Sequence, residues 1–199
     1  CIRDRWWFII LLIISFPLKA DNIFVEAESF DCRGGWVLDN QSMGQMGSPY
    51  LLAHGLGVPV ENASTVIRVE NGGKYRVWVR TRDWVKQWDQ TASPGRFELL
   101  LNGKALEVTF GTERAEWHWQ DGGTICLKTG ENRVELRDLT GFEGRCDAIF
   151  FTSALEMLPP DGKEELTVFR RNMLGLPENP EDAGEFDLVV VGGGIAGCC

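Results

Sequence analysis

The sequence predicts a mainly β protein: one antiparallel two-sheet sandwich from about Asn22 to Ser153, then a short helix, then the first strand and turn of an α/β unit. Three observations carry this. Between Asn22 and Ser153 the apolar runs are short and alternate with polar residues, with almost no helical period. Asn- and Gly-rich turns separate these runs at regular intervals, as in sandwiches. Beyond Pro159 and Pro160 the pattern changes, first to helical spacing and then to a β-branched run closed by glycines.

The chain opens on Cys1 rather than Met, so its start is expected to lie further upstream. Arg3 and Arg5 precede an apolar run from Trp6 to Ile14, Ser15 and Pro17 break it, and Ala20 follows. A basic start, a short apolar centre and a small residue at the end is the pattern of an export signal over residues 1–20. The run falls short of the ~20 apolar residues of a membrane-spanning helix. Leu18 sits where a small residue is preferred, and a membrane anchor is the competing reading.

Within the sandwich, Asn22 to Glu28 reads as the first strand. Ser64–Val69 and Lys74–Thr81 flank Asn71-Gly72-Gly73, a hairpin signal. In the second of these strands Tyr75, Val77 and Val79 share one face, and Arg76, Trp78 and Arg80 the other. Arg96–Leu101 and Lys104–Phe110 meet at Asn102-Gly103, and later strands end on Asp147–Thr152. The segment from Cys32 to Val60 lacks periodicity and reads as a long ordered loop. Asp161 is expected to cap a helix reaching Leu174, with Leu166, Phe169 and Met173 on one face and Gly175 as its stop. An acidic, Pro-containing linker follows to residue 185.

The formal charge of -9 argues against a nucleic-acid partner, which needs a basic footprint. It suits a calcium binder and a handler of neutral sugars equally. No membrane contact is expected beyond the signal segment. Cys32, Cys126 and Cys146 lie in the sandwich, where three thiols allow one bridge and one orphan. With the first and last strands as neighbours, Cys32 and Cys146 would approach bridging distance, but spacing does not select the pair.

The run Leu188–Val191 is followed by Gly192, Gly194 and Gly197, a G-x-G-x-x-G directly after an apolar strand. The first glycine allows the tight turn, the second lets the backbone approach a pyrophosphate, and the third lets the new helix pack on the strand. The helix N-terminus then offers N–H groups to the phosphates. The wording VVVGGGIAG resembles the start of FAD-dependent oxidoreductases with a two-dinucleotide-binding-fold flavin domain. That resemblance implies FAD, with NAD as the alternative, in a Rossmann-type domain that begins at about residue 186 and is truncated here. Cys198 and Cys199 read as small residues packed on the strand.

A second resemblance covers Asn22 to Ser153. VEAESF near the start, KYRVWVRT, the GRFELLLNGK hairpin and RCDAIFFT at the end are similar to calcium-binding carbohydrate-binding modules with the galactose-binding-like, jelly-roll sandwich. The arrangement also resembles flavoproteins, and xanthan-lyase-like proteins, that carry such a sandwich. The resemblance implies a structural calcium held by a Glu-x-Glu on the first strand and an Asp on the last, here Glu26, Glu28 and Asp147. Alternation puts Glu26 and Glu28 on one face, and calcium takes hard oxygen ligands, but three carboxylates need further oxygens to complete its shell. A solvated acidic strand face is the plainer reading.

Tryptophans are the candidate sugar contacts. Trp84 and Trp88 lie beside a polar turn, Trp117 and Trp119 share a strand face, and Trp78 in mid-strand reads as core. His54 and His118 sit in no nucleophile or metal motif, so no catalytic residue is named. The leading expectation is the N-terminal part of an exported FAD-dependent oxidoreductase, whose sandwich binds carbohydrate or supports the catalytic domain. The alternative is a non-catalytic carbohydrate-binding module of a polysaccharide-processing protein.

Overall fold

The computed structural model describes residues 20–189. Ten strands and two helices follow in order: β1 (Asn22–Glu26), a 3-10 turn (Ala27–Ser29), β2 (Val37–Asp39), α1 (Met43–Met46), β3 (Tyr50–His54), β4 (Ala63–Val69), β5 (Gly73–Thr81), β6 (Phe97–Leu101), β7 (Lys104–Phe110), β8 (His118–Leu127), β9 (Gly130–Asp138), β10 (Phe142–Thr152) and α2 (Lys163–Met173). All pairings are antiparallel. One sheet runs β2-β3-β10-β5-β8, with β1 also paired to β10; the other runs β4-β9-β6-β7. The expected sandwich is therefore present, with its first and last strands side by side from Asn22 opposite Thr152 to Glu26 opposite Ala148.

Alternation builds the core between the sheets. Val25, Tyr75, Val77, Val79, Ile149 and Phe151 of the larger sheet meet Ile67, Val69, Phe97, Leu99, Phe110, Val134 and Leu136 of the smaller. The sequence reading of the two β5 faces is thus correct: Tyr75, Val77 and Val79 point inward, and Trp78 packs on the opposite side.

Asn71-Gly72-Gly73 does not close a hairpin. β4 and β5 lie in different sheets, so this turn arches across the sandwich. The β8–β9 connection arches beside it, and Gly72 N–H donates to Thr129 Oγ1 at 2.9 Å. A Cβ on Gly72 would stand 2.7 Å from the Thr129 backbone nitrogen, so glycine is needed for this close approach. Asn102-Gly103, with φ of 51° and 81°, does close the β6–β7 hairpin. The expected long loop from Cys32 to Val60 contains β2, α1 and β3, elements too short to show periodicity.

The outer face of the larger sheet is also buried. Trp78, Trp119, Ala148 and Phe150 form a second apolar cluster with Leu166 and Phe169 of α2, and Phe24, Met157 and Met173 pack against it. Phe169 meets Phe150 edge-on at 5.1 Å and Phe24 at 5.8 Å between ring centroids. Two indole N–H groups fasten the connector before the helix: Trp78 donates to Met157 O and Trp119 to Pro160 O. The helical face read from the sequence is the docking face. Gly162, not Asp161, occupies the N-cap position, because the Asp161 carboxylate is drawn to Arg80.

Leu188 and Val189 are exposed and belong to no strand, since no described strand lies alongside to pair with them. The remainder of the dinucleotide motif, including Gly192, Gly194 and Gly197, lies outside the described residues, as does most of the signal segment.

Candidate functional site

Two groups of functional side chains stand out, and β10 contributes to both. The first lies where β10 begins. The β5–β6 loop brings Trp84 and Trp88 together, edge to face with centroids 6.3 Å apart. Trp84 Nε1–H donates to Phe142 O at 3.3 Å, which ties the loop to the start of β10. The Arg145 guanidinium lies 5.4 Å from the Trp84 ring centre and donates to Glu143 O and Glu143 Oε2 at 2.8 and 3.0 Å. His54, at the end of β3, stands 3.3 Å from the other Glu143 oxygen. Behind them Arg82 is held below its ordinary pKa, first by burial and then by Arg145.

Gly141 shapes this end of the sandwich. Its φ is +70°, and a Cβ there would lie 2.2 Å from Val58 O, so the β3–β4 and β9–β10 turns can touch only through glycine. The outcome is a platform of aromatic surface among polar groups: Trp88 is 72% exposed, Phe142 is 50% exposed, and Trp84 is half-buried between them and Arg145. Exposed indole offers a flat apolar ring with a polar N–H, suited to a partner that is apolar on its faces and polar at its edges. Among the described residues the other tryptophans do not contribute. Trp119 is covered by α2, and Trp117 is buried against Tyr50 with centroids 4.8 Å apart.

The second group is sealed. Glu26 on the outer face of β1, Asp147 on β10 and Arg170 on α2 meet beneath the helix. A bulge aims Asp147: Cys146 opposes Thr81 and Ala148 opposes Arg80, leaving Asp147 as the extra residue on this edge. Asp147 is 0% exposed. It accepts from Arg170 Nη1 at 2.9 Å and stands 3.3 Å from Arg80 Nε. Arg170 also donates to both Glu26 carboxylate oxygens, to Ser48 Oγ, and to Met46 O at 3.1 Å. Burial pushes Glu26 up to about 7 and Asp147 to about 6, against the downward pull of Arg170.

The three carboxylates assigned from sequence are thus near one another, but not as a strand face. β1 ends at Glu26, and Glu28 lies on the 3-10 turn. One Glu28 oxygen is buried with no hydrogen-bond partner among the described residues. Among those residues no group of three His, Cys, Asp or Glu side chains is placed to hold a metal ion. With α2 docked, the oxygens of Glu26 and Asp147 are taken up by a guanidinium, and the cluster does not fit calcium. Arg170 was the member that sequence reasoning missed. Its one signal is its place directly after Phe169 on an apolar-faced helix.

Cys32, Cys126 and Cys146 are free thiols. Cys146 is buried in the core while Cys32 is exposed and bridges through its backbone to Ser64, so the contemplated Cys32–Cys146 bond is not formed.

No family model matches the chain, and no curated protein does. Solved structures do. A Podospora anserina β-(1,4)-mannanase with a family 35 carbohydrate-binding module matches with TM-score 0.53 and 21% identity, over 70% of this chain and 29% of the enzyme. A family 35 module from Clostridium thermocellum matches at 0.51 and 16%, over 66% of this chain and 97% of the module. One from Paenibacillus barcinonensis matches at 0.51 and 17%, over 66% and 98%. The sandwich has the fold of these modules.

Proposed function

We propose that the sandwich is a carbohydrate-binding module of an exported protein, and that it seats its sugar on the loop platform of Trp88, Trp84 and Phe142. The observation that carries this is Trp88, a large apolar ring left 72% exposed beside polar side chains. The fold shared with carbohydrate-binding modules supports the reading. So does the closure of the broad aromatic face of the larger sheet, which α2 covers, while the loop end keeps Trp88 and Phe142 exposed. Sugar rings are apolar on their faces and carry hydroxyls at their rims. Indole stacking on the face with Glu143, His54 and Arg145 near the rim would read both.

The test is affinity electrophoresis against soluble mannan, xylan and xanthan. Retardation by at least one, reduced about tenfold or more in Trp88→Ala, is the expected result. A folded protein retarded by none, or retarded equally after Trp88→Ala, overturns the proposal. The expected export has its own support in the residue 1–20 pattern. No helix among the described residues is long and apolar enough to cross a membrane.

A second reading rests on the glycine motif. Gly192, Gly194 and Gly197 after an apolar run support a dinucleotide-binding domain, with FAD first and NAD second, joined to the sandwich through α2 and the acidic linker. Such a cofactor would supply redox chemistry to the longer protein. Flavin absorbance that copurifies with a protein extended beyond Cys199, and is lost on Gly194→Val, is the expected result. An extended, folded protein that binds neither FAD nor NAD removes this reading and leaves the sugar-binding module standing.

A further inference from the structure

We propose that Arg170 is a built-in substitute for a metal ion: its guanidinium, delivered by α2, neutralises and ties together Glu26 and Asp147, so the sandwich folds at this position without a divalent cation. The oxygen set is the first argument. Both Glu26 oxygens, Asp147 Oδ2, the Met46 carbonyl and the Ser48 hydroxyl surround one guanidinium. Carboxylate, carbonyl and hydroxyl oxygens gathered from separate chain segments make the kind of shell that a hard cation takes. Here they accept from a planar group with five N–H donors and a permanent charge. The same oxygens cannot serve a calcium ion and the arginine at once.

Placement is the second argument. Arg170 follows Phe169 directly and lies one turn beyond Leu166, and both apolar residues are packed into the outer cluster. Docking of those side chains sets where the arginine enters, and its guanidinium passes 5.9 Å from the Phe24 ring. Charge is the third. Asp147 has no access to solvent, and an unpaired carboxylate there would be strongly destabilising. Arg80 pairs with Asp147 and Asp161, so Arg170 is the group that also neutralises Glu26. Glu28 stays outside this exchange. Its carboxylate, whose pKa is raised by burial, receives no bond from Arg170.

The experiment is thermal unfolding of the full chain in EDTA and in millimolar calcium chloride, for wild type, Arg170→Met, Glu28→Gln and the triple variant Arg170→Met/Glu26→Gln/Asp147→Asn. Wild type is expected to unfold at one temperature in both solutions. Arg170→Met is expected to unfold roughly 10 °C lower, because it leaves buried Glu26 without its cation and Asp147 with Arg80 alone. The triple variant should recover a large part of that loss, since it removes the stranded charges along with the cation. Glu28→Gln should match wild type and stay indifferent to calcium. A wild type that calcium stabilises, most plainly if Glu28→Gln abolishes the effect, overturns the proposal in favour of a metal. Arg170→Met as stable as wild type overturns it as well. Should Arg170→Met fail to fold, the triple variant decides: a folded triple variant supports the substitution, and one that also fails to fold refutes it. Sugar binding at Trp88 does not enter any of these outcomes.

Discussion

Strand β10 passes through two arginine-centred clusters that solve opposite problems. At its start, Arg145 lies against Trp84 and pairs with Glu143, and the aromatic groups around it face solvent. A few residues on, Asp147 is taken up by Arg170 and Arg80 under a helix, with no exposure at all. The inner cluster turns most of its hydrogen bonds on itself, which holds the helix to the sheet and keeps Asp147 away from solvent. The outer cluster keeps large apolar rings in water, an arrangement that folding alone does not favour and that binding can use. The contrast teaches that charge density does not mark the functional end of this sandwich. Unsatisfied apolar surface marks it better.

The largest expected effect tests the sealed side. Phe150→Ala removes a fully buried ring packed on Phe169 and Trp119, and should cost about 3–5 kcal/mol in chemical unfolding. Loss of less than about 1 kcal/mol would mean that α2 is not firmly docked, and the two regions would differ less than described.

The next effect is pH dependence. Burial raises Glu26 from 4.5 to about 7 and Asp147 from 3.8 to about 6. Between those limits the folded state holds protons that the unfolded chain has already released. The associated stability is present below about pH 4 and is lost as pH rises through about 7. Urea midpoints measured at pH 5 and pH 8 should therefore fall on going up, and Glu26→Gln should flatten the fall. Trp88→Ala should leave that slope unchanged. A slope that steepens in Glu26→Gln, or that vanishes in Trp88→Ala, would misplace the titrating group.

The smallest effect belongs to the open end. Trp88→Ala should change unfolding free energy by no more than about 0.5 kcal/mol, because its ring is mostly in solvent. A loss of several kcal/mol would make Trp88 a packing residue and weaken its claim as a sugar contact.

Parts of this architecture were legible in the residues. Period-two alternation fixed the two faces of β5, and Asn102-Gly103 selected a two-residue hairpin because both positions need positive φ. Leu166, Phe169 and Met173 at helical spacing identified the docking face of α2. Trp84 and Trp88 were named as candidates because their neighbours are polar, but Trp117 and Trp119 have polar neighbours too and are buried. Adjacent residues in a strand report on two faces at once, so sequence polarity does not say which face a later helix will cover.

What the sequence by itself determined is local: strand periodicity, turns that demand glycine or asparagine, and the apolar stripe of a helix, each set by a few consecutive residues. Tertiary structure decided the rest. It made Asn71-Gly72-Gly73 an arch between sheets rather than a hairpin, since the partners of β4 and β5 lie far along the chain in β9 and β10. It turned Asp147 outward through a bulge visible only against β5. It brought Arg170 across 144 positions to Glu26, and thereby chose which cation these carboxylates meet. Ion pairing in a buried site depends on which segments converge in space, and no local pattern of residues encodes that convergence.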